Sequence, residues 1–183
     1  MTTTPSERAM GKGFLKLIGA PYSSRMVYAV SAWVRAETGR AVVGNNPFNQ
    51  HAGPPCSPVA PATVKVGRTL VPHSQHLPMD PHFPGLIGNR YAGAGDKNVA
   101  IYATIADGLK QSADNLLRGQ HDTWTGYWPV VLAARRDDPK GFMDALAKSK
   151  WAASRYGTKN GGENRIIKIY REIVHDLGNW YAV

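Results

Sequence analysis

A glutamate, Glu37, stands near the end of the segment SAWVRAETGR, where two rules of helix chemistry disfavour it. The apolar residues before it recur at helical spacing, and Glu37 continues their face: Met26, Val30 and Trp33. Gly39 predicts that the helix ends directly afterwards, where the macrodipole is negative. Partial burial and a negative helix end both disfavour the charged carboxylate, so we expect a raised pKa for Glu37. A carboxyl group that keeps its proton can act as a general acid.

Glu37 also has purely structural explanations. Its carboxylate could extend into solvent from a frayed helix end, or it could pair with the nearby cations Arg35 or Arg40. The sequence alone leaves these alternatives open beside the catalytic one.

The segment GRAVVGNNPFNQ follows Glu37 and is rich in asparagine. Asparagine side chains both donate and accept hydrogen bonds, which suits the hydroxyl and N-acetyl groups of a sugar. Pro47 favours a fixed turn that would present Asn45, Asn46 and Asn49. An acid followed by such a turn indicates a carbohydrate-processing site, since protonation of a glycosidic oxygen needs a carboxylic acid.

These features together resemble the lysozyme-like superfamily, in particular small phage and bacterial muramidase, glucosaminidase and transglycosylase domains. The resemblance begins with the W-x-x-x-E helix of Trp33 and Glu37 and the Asn-Asn-Pro turn. Two later stretches, VAIYATIADGLKQSADNLL and ALAKSKWAASRYG, are similar to the cleft strand and the C-terminal motif of that family. The three pieces occur in the family's order, between about residues 10 and 157.

The resemblance implies a function and a set of site residues. It implies cleavage of the glycan strand of peptidoglycan by hydrolysis or transglycosylation, without a cofactor. It assigns Glu37 as the general acid and places Tyr102 at the cleft and Tyr156 near the glutamate. It leaves a second carboxylate unassigned, and either Asp96 or Asp80, in the lobe expected to face Glu37, could serve as one. The predicted substrate-binding residues are Asn46, Asn49, Tyr102 and Trp151, and for Trp151 core packing is the alternative.

Two departures from the family weaken the assignment of a second acid. Ala153 and Ser154 occupy the place where glucosaminidase-like members often have Thr-Asp, and the segment between Asn49 and Val99 is unusually long and rich in proline. Transglycosylases of this type need no second acid, so these departures bear on the hydrolase subtype.

The rest of the chain predicts an α+β fold that is mostly α. We expect helices at about 8–19 and from Ser23 or Ser24 to Glu37, and four more after residue 103: about 104–118, 129–136, 139–151 and 162–177. The segment 45–103 contains nine of the 13 prolines. It predicts an irregular or β lobe that contains a small sheet or hairpin but no central strands, with extended pieces at 63–71 and 98–103. A disordered linker is the alternative.

This organisation is that of a single lysozyme-like domain spanning 1–183. It would consist of N-terminal helices (1–44), the inserted lobe (45–103) and C-terminal helices (104–183). The length of 183 residues and the hydrophobic content of 43% suit one globular domain. The single cysteine excludes an internal disulfide.

A net charge of +9 indicates an anionic partner. The cations are scattered and no nucleic-acid-binding motif is present, so an anionic cell wall is favoured over nucleic acid. We expect neither a membrane span nor a secretory signal peptide. The expected setting is a phage protein, attached to the virion tail with other virion proteins or released in the host, that acts on the wall.

Two other functions compete with this hypothesis. The fold could serve as a non-catalytic virion or wall-binding subunit, or the chain could be a basic nucleic-acid-binding protein. A metal site formed by His73, His76, His82 and Asp80 lacks the spacing of known ligand sets, so no metal is expected. Cys56 lacks a partner base, and the aromatic residues of TWTGYW favour core packing over sugar stacking.

Overall fold

The computed structural model describes most of the chain, in nine pieces: residues 3–39, 41–49, 59–66, 69–75, 85–90, 99–118, 127–149, 151 and 164–175. Within these pieces lie six helices: α1 (Pro5–Leu17), α2 (Ser24–Thr38), α3 (Ile105–Arg118), α4 (Trp128–Arg135), α5 (Pro139–Lys148) and α6 (Arg165–His175). Four strands are also described: β1 (Val59–Val66), β2 (Thr69–Gln75), β3 (Leu86–Arg90) and β4 (Val99–Tyr102). The prediction of a mostly α-helical protein is therefore confirmed.

The chain divides into two compact units. The helical unit comprises residues 1–39 and 113–183, and the sheet unit comprises residues 40–112. The sheet unit contains the segment 45–103 that the sequence predicts as an inserted lobe. The boundary at residue 113 falls within α3.

The first helix begins earlier than its predicted start at residue 8. Thr4 caps it, since its hydroxyl accepts a hydrogen bond from the Glu7 amide at 3.1 Å, and the Glu7 carboxylate accepts one from the Thr4 amide at 2.7 Å. This reciprocal capping box satisfies two amides that the helix leaves without partners, and Pro5 suits the first helical position. The helix ends in a turn at Gly19, whose positive φ of 68° is easily adopted by glycine.

The second helix is the centre of the helical unit. It contacts α1, α5 and α6, and from Ser31 to Ala36 every residue is buried. Its ends match the prediction: the Ser23 hydroxyl accepts from the Met26 amide at 3.1 Å, and Gly39 is the C-cap. The predicted apolar stripe is buried, but so are the other faces, because three helices surround α2. The stripe alone therefore does not single out Glu37.

The corner between α1 and α2 is held by two charged residues at the end of α4: Arg135, its last residue, and Asp137, which follows it. The Arg135 guanidinium donates to the Ile18 carbonyl at 2.9 Å, at the negative end of α1. Asp137 accepts hydrogen bonds from the Ser23 hydroxyl and, at 3.3 Å, from Arg25, at the positive end of α2. Each charge thus complements the helix end that it contacts. Asp137 adopts a positive φ of 56° to make these bonds.

We expect Asp137→Ala to lower the free energy of unfolding by about 1–3 kcal/mol, because bonds to a charged group are lost and alanine disfavours the left-handed backbone. Asp137→Asn keeps an acceptor oxygen and tolerates positive φ, so it should cost less. Urea unfolding of both variants checks this. Equal losses for the two would show that the backbone conformation contributes nothing.

The sheet unit contains an antiparallel sheet with the order β1-β2-β3-β4. The predicted extended piece 63–71 is instead two strands, because Val66 pairs with Thr69 across a two-residue connection. The strand β4 corresponds to the predicted piece 98–103, whereas β3 was not predicted.

The prediction that prolines exclude central strands is wrong for β2, which lies between two other strands and contains Pro72. Within the described residues, Pro72 pairs with Thr63 of β1, and the pairs between β2 and β3 are at His73 and Ser74. On β1, Pro61 falls in the register irregularity between Val59 and Ala62. In the described part of the sheet, neither proline therefore occupies a position that is regularly paired on both sides and would need its missing amide hydrogen.

The later helices follow the predicted pattern closely. Asp138 caps α5 through a bond from the Gly141 amide at 2.8 Å, with Pro139 in the first turn. Asn164 precedes α6, accepts from the Ile166 amide at 2.9 Å and donates to the Met143 carbonyl at 3.0 Å, which ties α6 to α5.

Candidate functional site

Glu37 lies in the last turn of α2, at the point where the burial of this helix ends. Ala36 before it is buried, Glu37 is half-buried, and Gly39 after it is exposed. The Gly39 amide donates to the Arg35 carbonyl at 2.9 Å and closes the turn. Glu37 therefore combines contact with the protein interior and access to solvent, which a proton donor needs. Its raised pKa stays a prediction.

The neighbouring Arg35 is bound by Glu7 of α1. Its Nε donates to Oε1 of Glu7 at 2.9 Å and its Nη2 donates to Oε2 at 2.6 Å, in a buried two-point ion pair. Residues two apart on a helix lie on nearly opposite sides, so the face that carries Arg35 is not the face of Glu37. The alternative pairing partner, Arg40, lies outside the described residues.

The pKa of Glu7 is lowered from its ordinary value. Burial is the largest influence and raises the pKa, but hydrogen bonds from Arg35 and Thr4 and the charge of Arg35 together outweigh it. Glu7 is thus a carboxylate that keeps its charge, and it is unsuited to donating a proton near neutral pH. This pair was not predicted, although Glu7 precedes Met10 and Phe14 on the apolar face of α1.

Aromatic rings pack around Trp33, one turn before Glu37 on the same helix. Phe14, Phe142 and Trp151 each approach the Trp33 ring edge to face, with centroids 5.5, 6.0 and 5.3 Å away. Trp151 also contacts Tyr127 at 5.7 Å, and it is half-buried, whereas Trp33 is fully buried. Trp151, predicted to bind substrate, is therefore a peripheral member of an aromatic core that keeps some surface exposed.

In the sheet unit, the Asn-Asn-Pro turn is bound to β4 and the residue after it. The side-chain amide of Asn45 donates to the backbone carbonyls of Tyr102 and Ala103 at 2.9 and 3.0 Å. The side-chain amide of Asn46 donates to the backbone carbonyl of Ala100 at 3.0 Å. Asn45 has a positive φ of 54°, which asparagine tolerates. These bonds explain the two asparagines structurally, as side chains that fix the turn against a strand.

The residues predicted to bind substrate differ in exposure. Asn46 and Tyr102 are fully buried in the sheet unit, and Tyr102 packs with Leu86 and Ala100. Burial raises the pKa of Tyr102, and its hydroxyl has no hydrogen-bond partner within the described part of the chain. Asn49 is half-buried with a φ of 48°. Asn46 and Tyr102 therefore have structural roles within the sheet unit, and Asn49 has exposed surface that a ligand could contact.

Glycine at position 108 allows α3 to approach the turn closely. A Cβ atom added at Gly108 would collide with the Asn45 carbonyl oxygen and lie 3.1 Å from both Pro47 Cδ and Tyr102 Cδ2. The backbone oxygen can move only if the turn moves, so no other residue fits here without distortion.

We expect Gly108→Ala to destabilise the sheet unit by about 1–3 kcal/mol, the usual range for overpacking. The higher helix propensity of alanine would offset only about 1 kcal/mol of this. Thermal unfolding followed by circular dichroism measures the change, with the exposed Lys110→Ala on the same helix as the control. An unchanged or raised melting temperature for Gly108→Ala would contradict the close packing of α3 on the turn.

Several predicted site residues lie outside the described part of the chain. They are Tyr156, Asp96 and Asp80; His76, His82 and Cys56, at which no site was predicted, also lie outside it. Their assigned roles stay predictions. Within the described residues, no group of three or more His, Cys, Asp or Glu side chains could hold a metal ion.

Comparison of the chain with protein-family models, curated proteins and solved structures finds no match. None of the helices in the described residues combines the length and the apolar character that crossing a membrane requires.

Proposed function

We propose that this protein is a lysozyme-like enzyme that cleaves the glycan strand of peptidoglycan, with Glu37 as the general acid. The observation that carries the proposal is the placement of Glu37: a half-buried carboxyl group in the last turn of a buried, well-capped helix. Glycosidic cleavage requires a carboxylic acid that protonates the leaving oxygen. The resemblance in sequence supports peptidoglycan as the substrate, and the placement of Glu37 supports its role as the general acid.

Two features of the position of Glu37 disfavour a charged carboxylate and support its role as a general acid. It lies at the C-terminal end of α2, where the backbone carbonyls carry partial negative charge, and part of its surface is removed from water. In the proposed mechanism, Glu37 protonates the glycosidic oxygen while the bond to the anomeric carbon breaks. Either water or a hydroxyl of the sugar then attacks that carbon, and a carboxylate accepts its proton: Glu37 after its deprotonation, or Asp96 where this residue acts as the base. The role of Asp96 as a base or nucleophile belongs to the hydrolytic version of this proposal.

The proposed partner is the anionic cell wall, for which a charge of +9 gives long-range attraction. Two of the residues predicted to bind substrate, Asn49 and Trp151, are half-buried and keep exposed surface. We propose a phage origin and a place in the virion tail or in the host at the time of lysis.

Digestion of purified sacculi, followed by mass spectrometry of the released fragments, tests the function. We expect muropeptides whose ends identify the reaction: reducing ends after hydrolysis, or anhydro ends after transglycosylation. Protein that co-sediments with sacculi but releases no fragments would show a wall-binding subunit instead of an enzyme. Binding to DNA with a steep salt dependence, together with no sacculus binding, would favour a nucleic-acid-binding protein.

A further inference from the structure

The buried ion pair between Glu7 and Arg35 connects α1 to the end of α2. Both side chains are less than one-tenth exposed, and the carboxylate also accepts from the Thr4 amide at 2.7 Å. One turn earlier on α2, the Ser31 hydroxyl donates to the Glu7 backbone carbonyl at 3.2 Å. Glu7 thus contacts two successive turns of α2 with its backbone and its side chain.

Stability alone does not require such a pair. Two charges removed from water lose hydration, and apolar residues of similar volume in their place are often as stable or more stable. What an ion pair with fixed hydrogen bonds adds is geometry, since a two-point contact between guanidinium and carboxylate defines both distance and orientation.

The residue that is held in this way also closes the last turn of α2. The Arg35 carbonyl accepts the Gly39 amide at 2.9 Å, and the hydroxyl of Thr38 donates to the carbonyl of Val34 at 2.8 Å. Glu37 lies between Arg35 and Gly39 in this turn. A displacement of Arg35 would therefore move the peptide unit on which the position of Glu37 depends.

We propose that Glu7 is a positioning residue for Glu37: through its ion pair with Arg35, it holds the last turn of α2 in one conformation. The geometric part of this statement concerns the helix and is independent of any activity. Its consequence for catalysis rests on the proposed function.

Amide hydrogen exchange tests the geometric part. In Glu7→Gln, we expect the amides of Thr38 and Gly39 to exchange at least about 10-fold faster relative to that of Val30, in the middle of the same helix. The internal ratio removes the effect of a general loss of stability. Thr4→Ala is the matched control, because it removes the cap of α1 but keeps the backbone amide that bonds Glu7, and its ratio should equal that of the wild type.

A second variant guards against failure of Glu7→Gln to fold. The double variant Glu7→Gln with Arg35→Met leaves no buried unpaired charge, so its stability should recover. The amides of Thr38 and Gly39 in the last turn of α2 should still exchange faster than those of the wild type. An unchanged ratio in whichever variant folds would overturn the proposal.

Kinetics on sacculi test the catalytic consequence. We expect kcat to fall by about 10- to 100-fold in Glu7→Gln, with KM changed less than about threefold, because misplacement of a reacting group acts on the chemical step. Thr4→Ala should keep both constants. Equal kcat values for Glu7→Gln and the wild type would overturn the catalytic consequence. An inactive wild type would refute the proposed function, while the exchange ratios would still decide the geometric part.

Discussion

Replacement of Glu37 by glutamine should reduce the release of muropeptides by at least about 10²-fold, while the protein remains folded. Glutamine keeps the size of the side chain and its hydrogen-bonding reach but has no proton to transfer. The half-buried position at a negative helix end disfavours a charge, so the substitution should leave the melting temperature unchanged or raise it. Muropeptide release and thermal unfolding, measured on one preparation, give both results.

Glu172→Gln is the matched control for this variant. Glu172 is an exposed glutamate on α6, and its replacement removes one carboxyl group, as the replacement at position 37 does. It should leave muropeptide release unchanged, so an effect confined to position 37 cannot come from a change in the net charge of the protein. If Glu37 is structural, its replacement should lower stability and leave muropeptide release intact. Wild-type release by Glu37→Gln would end the proposed mechanism.

The helices could be predicted well because their signals are local. Ser23 and Asp138 cap α2 and α5 by accepting amides three residues on, and Gly39 ends α2 with a positive φ. Each of these depends on residues within one turn of the chain. The start of α1 was missed because its signal is a pair of polar residues, Thr4 and Glu7, that precede the apolar residues from which the helix was predicted.

The sheet was predicted less well because pairing between strands is not local. The two halves of the predicted piece 63–71 belong to a hairpin, and β3, with the sequence LIGNR, has too short an apolar pattern to predict a strand. The density of prolines suggested an irregular lobe. Their compatibility with the sheet depends on which side of each strand is paired, and the sequence does not specify this.

The site illustrates the same difference. An acid on an apolar helical face drew attention to Glu37, yet Glu7 follows the same rule on α1 and is a paired carboxylate. The pattern therefore identifies unusual acids without showing which of them are structural and which are reactive. Asn46 was likewise predicted from its chemistry to bind a sugar. In the structure, its side-chain amide instead donates to the backbone carbonyl of Ala100 in β4.

Glu7→Gln should lower the free energy of unfolding by about 3–5 kcal/mol at neutral pH, because it leaves Arg35 buried without a countercharge. The pKa of Glu7 is lowered in the folded protein, so the pair stabilises the fold fully above the ordinary pKa of 4.5 and loses this contribution as the pH falls through the folded value. The wild type should therefore lose stability in acid, and Glu7→Gln should lose less over the same range. Urea unfolding at about pH 7 and about pH 3 measures both differences. Lys140→Gln is the control: it breaks the exposed ion pair with Asp144 and should barely shift the midpoint of unfolding. Equal midpoints for Glu7→Gln and the wild type at neutral pH would show that the buried pair adds nothing to stability, and a parallel acid dependence would show that another carboxylate governs it.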